Sequence, residues 1–126
     1  MTARNAQHLI AAVFLVLGGW CLVAPGSIAD LMFQPAYRTD ARLETFLIAC
    51  FGAQACLGGL FAATARFSRV TFVAFGLALL PFFVFDWYFY FVVHILTPLG
   101  LLDAVGNLAM LALCVVGWRK CEVLAD

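Results

Sequence analysis

The chain has 126 residues, of which 66% are hydrophobic and 11% charged, and its formal net charge is zero. A soluble domain is typically about half apolar and about a quarter charged. This composition therefore excludes an ordinary soluble protein and predicts a single integral membrane domain, with a mean hydropathy of +1.05. The absence of a basic stripe also excludes a nucleic-acid interface.

Four apolar segments predict four transmembrane helices and an all-α, polytopic membrane protein. The predicted spans cover about residues 7–24, 43–64, 70–96 and 99–118. Their lengths are close to the roughly 20 residues that cross a bilayer. No convincing cleavage site follows the first segment, so we expect it to be retained as a span. Short turns between the later spans favour an up-down-up-down bundle; the alternative is an open arrangement that a partner protein completes.

The long polar connection, residues 26–42, is predicted to lie at the membrane interface. Ser27 and Asp30 match an S-x-x-D capping box, which predicts a short helix after Ser27. An extended piece is expected around Pro35. The segment would be either a lid over the outer end of the bundle or an ordinary surface loop.

Small side chains recur along the second span at alternating spacings of three and four residues. This stripe comprises Ala49, Gly52, Cys56, Gly59 and Ala63. Small residues at such spacing let two membrane helices pack closely. The stripe predicts a helix-packing surface and indicates no chemistry.

The third span contains Pro81, which predicts a kink, and then a strongly aromatic run. Eight of the ten residues from Phe82 to Phe91 are aromatic. Asp86 is a carboxylate within this apolar run. In a continuous helix Asp86, Tyr90 and His94 would share one face, because they are spaced four residues apart.

The distribution of Lys and Arg predicts the orientation. Five of these residues fall on the side of the two termini and two on the other: Arg4, Arg66, Arg69, Arg119 and Lys120 against Arg38 and Arg42. The positive-inside rule therefore places both termini inside. We expect a bacterial inner membrane or the inner membrane of an organelle of bacterial descent.

With this orientation, a group of polar residues shares the outer half of the bilayer. Its members are Glu44, Asp86, Tyr90, His94, Asp103 and Asn107. An ionisable residue inside a span costs about 2.5–3.5 kcal/mol on insertion scales and usually has a partner. Two interpretations stay open: these side chains bond to one another and hold helices together, or they line an outward-opening cavity with aromatic walls.

The sequence contains no motif for catalysis, and we predict no cofactor and no metal site. It has no serine nucleophile elbow, HExxH sequence or phosphate-binding loop. Its five cysteines show no CxxC spacing, and we expect inert thiols. His8 and His94 are predicted at opposite ends of the bundle, too far apart to ligate one haem.

Three segments carry a resemblance to a known group of proteins: GGWCLVAPGSIADLMF, FLIACFGAQACLGGLF and FGLALLPFFVFDWYF. They resemble small four-helix membrane proteins of proteobacterial type and are broadly similar to the DoxX-like group. The resemblance covers most of the chain and implies the four-helix architecture. Members of that group are associated with membrane redox assemblies or have no assigned role, and no catalytic residue carries over.

The leading hypothesis from the sequence is a non-catalytic accessory or structural subunit of a larger membrane assembly, in a homo- or hetero-oligomer. The close-packing stripe and the broad aromatic surface motivate it. The alternative is a binder or carrier of a lipophilic molecule (a quinone, sterol or lipid) in an outer-half pocket around Asp86. An isomerase-like enzyme is third, because carboxylates near a histidine can perform acid–base chemistry.

Overall fold

The computed structural model describes residues 1–38 and 42–121. The described chain is helical, with one isolated β-bridge and no strand. Its helices are α1 (Ala3–Val23), α2 (Pro25–Met32), α3 (Arg42–Thr64), α4 (Arg69–Trp87) and α5 (Leu102–Lys120). A π-helical turn, Tyr88–Val92, extends α4, and short 3-10 turns lie at Pro35–Tyr37 and Pro98–Leu101.

Within the described residues, four helical segments are long and apolar enough to cross a membrane: Ala3–Val23, Arg42–Thr64, Arg69–Val92 and Pro98–Lys120. This finding confirms the predicted all-α class with four transmembrane helices that run up-down-up-down. The described termini lie at one end of the bundle, where Arg69 Nε donates to Cys121 O at 3.0 Å. We call this the proximal end and the opposite one the distal end; which of them faces the cytoplasm stays a prediction.

The third span is shorter than predicted, because its helix ends at Val92 and does not continue to residue 96. Val93 N donates to Tyr88 O at 3.0 Å, the bond that closes the π turn. His94 then adopts a left-handed conformation with φ 58°, which a helix interior does not accommodate. The prediction that Asp86, Tyr90 and His94 share one helical face is therefore wrong.

The helices do not pack in the order of the sequence. α1 packs against both α3 and α5, and α4 packs against α5, whereas α3 and α4 form no extended interface. Antiparallel helices joined by a short loop usually pack as neighbours in a bundle. Here α1 and α5 lie between them, so a gap separates α3 from α4.

Glycines bring the backbones of α1 and α3 into contact. A Cβ atom at Gly52 would lie 2.5 Å from Leu22 N, and one at Gly59 would lie 3.1 Å from Ala11 O. From the other helix, a Cβ at Gly18 would lie 2.9 Å from Gly52 O. Two members of the predicted stripe thus pack inside this chain, on α1.

The other members of the stripe, Ala49, Cys56 and Ala63, are half-buried. The α4–α5 contact depends on a comparable close approach, because a Cβ atom at Gly117 would overlap the ring of Phe72. The two outer helices therefore pack against different central helices: α3 against α1, and α4 against α5.

A buried glutamine fixes the proximal end. Gln7 Nε2 donates to Ala62 O and to Ala65 O, both at 2.7 Å. Its Oε1 accepts from Phe67 N at 3.3 Å. The side chain satisfies carbonyl groups that the end of α3 leaves without helical partners, and so holds the α3–α4 turn against α1.

Residues 25–38, which we call the cap, pack across the distal end. Gln34 N donates to Ile95 O and Thr97 N donates to Met32 O, both at 2.8 Å. The cap is thereby bonded to the connection between the last two spans. It packs over this end of the bundle.

The predicted capping box is wrong. α2 begins at Pro25, two residues before Ser27, and its N-cap residue is Ala24. Proline is favoured at the first helical position, where its missing N–H leaves no helical bond unmade. Ser27 instead accepts from Trp20 Nε1 at 2.7 Å and donates to Ala24 O at 2.8 Å.

We expect Gly52→Ala to destabilise the fold, because the added methyl group would force α1 and α3 apart. Overpacking of this kind typically costs about 1–3 kcal/mol. Gly19→Ala is the matched control, since a Cβ there meets no atom within 4 Å. Thermal unfolding in detergent, followed by circular dichroism, should show a lower midpoint for Gly52→Ala only. Equal midpoints for the two variants would contradict the glycine contact.

Candidate functional site

A cavity of about 620 Å³ lies in the distal half of the bundle, between α3 and α4. Its wall comes from every described α-helix and from the turn before α5: Leu17, Trp20, Cys21, Ile28, Met32, Phe33, Leu47, Ile48, Phe51, Pro81, Phe82, Phe85, Asp86, Leu96, Gly100, Leu102 and Asp103. The volume lies within the range typical of small-molecule sites, about 300–1,000 Å³.

Exposed apolar side chains form the rim of the cavity. Leu47 and Phe51 on α3 and Phe82 and Phe85 on α4 line the cavity and are also exposed at the surface of the chain. The rim therefore lies along the gap between α3 and α4. In a bilayer this gap would face the acyl chains.

Asp86 is the most deeply buried charged side chain of the described residues, with 4% of its surface exposed. Its Oδ2 atom is buried and has no hydrogen-bond partner among the described residues. Burying a polar atom without a partner is unfavourable by several kcal/mol in an apolar medium, roughly 2–7 on transfer scales. Because Asp86 lines the cavity, its carboxyl group is a candidate contact for a ligand.

Asp103 and Asn107 complete a small polar group on α5. Asn107 Nδ2 donates to Asp103 Oδ2 at 2.9 Å, across one helical turn. The Asn107 amide also lies beside Asp86, and the two carboxyl groups are close enough to interact electrostatically. The structure thus brings together Asp86, Asp103 and Asn107 of the six predicted site residues.

The other three predicted residues, like Asn107, are not part of the cavity wall, and they lie apart from this polar group. Tyr90 is half-buried in the π turn, and exposed His94 places its Nδ1 3.0 Å from Tyr90 O. Glu44 is half-buried in the first turn of α3. Among the described residues His94 forms no ion pair with Asp86 or Asp103, so the carboxylate–histidine pair that motivated the isomerase hypothesis is not formed with these two acids.

Sequence reasoning missed the contribution of α1 and the cap. Trp20 and Cys21 form part of the wall, and Met32 covers it from the cap. The sequence did indicate the depth of these residues in the membrane. Trp20 and Cys21 lie near the end of the first span, at the same level as Asp103 at the start of the last span. An apolar residue at the correct depth does not reveal which way it faces, so this signal was insufficient.

A second, smaller groove of about 320 Å³ lies between α4 and α5, lined by Phe72, Val73, Gly76, Leu77, Leu80, Leu111, Cys114, Val115 and Trp118. It contains no ionisable group other than the Cys114 thiol. Over residues 1–38 and 42–121, no group of three or more His, Cys, Asp or Glu side chains is arranged to hold a metal ion.

Comparison of the chain with protein-family models, with curated proteins and with solved structures finds no match. The DoxX-like resemblance therefore stays a prediction.

Two substitutions separate a structural role of the polar group from a binding role. We expect Asp86→Asn to leave the unfolding midpoint unchanged or to raise it, because Oδ2 makes no hydrogen bond in the fold. Asn107→Leu should lower stability by about 1–3 kcal/mol, because it leaves Asp103 Oδ2 without its donor. Thermal unfolding of the purified variants measures both effects. A loss for Asp86→Asn as large as that for Asn107→Leu would show that Asp86 holds helices together.

Proposed function

We propose that the protein binds or carries a lipophilic small molecule, such as a quinone, sterol or lipid, in the cavity around Asp86. The observation that carries this proposal is the combination of a largely apolar wall with a buried carboxyl oxygen that has no partner. Small-molecule sites are typically apolar concavities with a few polar groups that orient the ligand.

The position of the rim supports access from the membrane. Phe85 on α4 and Leu47 on α3 are each 57% exposed while lining the cavity. A lipophilic molecule dissolved among acyl chains would meet this rim directly. We propose that the protein resides in a bacterial inner membrane, or in that of an organelle of bacterial descent, with the cavity in the outer half.

Co-purification tests the proposal. We expect the protein, purified in mild detergent, to retain a lipophilic molecule that native mass spectrometry or solvent extraction detects. Ile48→Trp should reduce the amount of bound molecule, because Ile48 lines the cavity and the larger indole ring would fill part of it. Leu77→Trp is the matched control, since Leu77 lines the separate α4–α5 groove. The proposal fails if no molecule is retained, or if both variants retain as much as the wild type.

A non-catalytic accessory subunit is the second candidate, and the aromatic surface of α4 favours it. Trp87 and Phe91 are 57% and 58% exposed, and exposed aromatic side chains are common at protein interfaces. The small-residue stripe does not by itself support a partner protein, because its members Gly52 and Gly59 pack on α1 of the same chain.

The mass of the purified protein distinguishes the two candidates. A binder that acts alone should run as one chain with its ligand in mild detergent. A subunit should run as a larger species, and Trp87→Ala should reduce that species because it removes an exposed ring. A species of one chain without any co-purifying protein would contradict the subunit hypothesis.

A further inference from the structure

The cavity wall carries acidic side chains without a basic one. Asp86 and Asp103 are its two acidic side chains, and no Lys, Arg or His of the described residues lines it. At the distal end, Arg38 NH1 lies 3.7 Å from Asp30 Oδ1, and its Nε donates to Phe33 O at 2.9 Å. Within the described chain, no cation balances these two carboxyl groups inside the cavity.

The polar donors around the cavity already have acceptors. Asn107 Nδ2 donates to Asp103 at 2.9 Å, and Trp20 Nε1 donates to Ser27 Oγ at 2.7 Å. Asp86 Oδ2 remains without a donor. An occupant that matches this wall with Asp86 ionised brings a hydrogen-bond donor to Asp86, and one that also brings positive charge matches both carboxyl groups.

The apolar part of the cavity wall indicates the chemistry of the rest of the ligand. Apart from the two acids, Trp20 and the Cys21 thiol, its side chains are apolar, and the rings of Phe51, Phe82 and Phe85 line the side toward the rim. Aromatic faces attract cations and also accept alkyl chains. A ligand that carries only carbonyl acceptors leaves Oδ2 of an ionised Asp86 without a donor, and an anionic head group would be repelled by ionised acids.

Resting on the proposed function and narrowing it to the lipids among its candidate ligands, we infer that the ligand is a cationic amphiphile with an amine head. The protonated amine donates to Asp86 Oδ2 and lies near Asp103, and the apolar chain extends along the wall toward the gap between α3 and α4. Amines of this class include long-chain bases and lipids with a free amino group. The ligand's charge complements the acids, and its chain replaces contacts that acyl chains would otherwise make at the rim.

Quenching of a single tryptophan in detergent tests this inference. In the protein with Trp87→Phe and Trp118→Phe, the remaining Trp20 reports from the cavity wall. The probes are a chain-brominated dodecylamine and the alcohol and carboxylic acid of the same chain. The matched control retains only Trp87, which is exposed on α4, and so reports partition of each probe into the micelle.

We expect the amine to quench Trp20 at concentrations at which it scarcely quenches Trp87, and to do so more tightly than the alcohol or the acid. In the Trp20-only protein, Asp86→Asn should weaken amine binding by about tenfold or more, since a hydrogen bond to a charged group is worth that much. It should leave the alcohol nearly unaffected.

The outcomes separate the two proposals. Equal binding of all three probes, insensitive to Asp86→Asn, would overturn the inference and leave the lipophilic-binding function in place. Quenching of Trp20 no stronger than that of Trp87 for every probe would overturn both. The comparison of head groups uses no Asp86 variant, so it stays decisive even if Asp86→Asn fails to fold.

Discussion

The close approach of α1 and α3 at Gly18, Gly52 and Gly59 is the constraint on which the rest of the structure depends. Backbone-to-backbone contact of this kind holds membrane helices together by packing, because lipid offers no hydrophobic driving force between them. These contacts hold α3 against α1. The close contact of Phe72 with Gly117 holds α4 against α5 in the same way. Because the two outer helices pack against different central helices, a gap remains between them. The cavity occupies the distal half of this gap.

The same arrangement explains where a buried acid can be tolerated. A carboxyl group that faced acyl chains would be strongly unfavourable, so intramembrane acids usually turn inward and find partners. Asp86 turns inward to Asn107 but keeps one oxygen without a donor. Local violations of this kind are expected at functional sites, where binding and not folding sets the residue. Gln7, also buried, shows the contrasting case: both of its polar atoms are bonded, and its role is architectural.

The sequence predicted the features that depend on composition and depth. Four spans and the proximity of Asp86, Asp103 and Asn107 follow from helix length and from counting residues inward from each turn. It could not predict the π turn or the left-handed His94, which remove Tyr90 and His94 from the cavity, because spacing arguments assume an uninterrupted helix. It also could not predict the packing order of the helices. A short turn between α3 and α4 favours their packing side by side, but the glycine contacts place α3 against α1 instead. The stripe of small residues predicts that α3 packs closely on a helix but does not identify which one.

The cap determines how a ligand would reach the cavity. Backbone hydrogen bonds join Gln34 to Ile95 and Met32 to Thr97, so the distal end is closed by main-chain contacts between two connections. At the opposite end, Gln7 and the packed rings of Phe14, Phe67 and Phe75 fill the space between the helices. The remaining side is the gap between α3 and α4, where no helix interface has to be broken. A molecule that reaches Asp86 by this route comes from the lipid phase, which is why an apolar chain with a polar head fits the site better than a water-soluble metabolite.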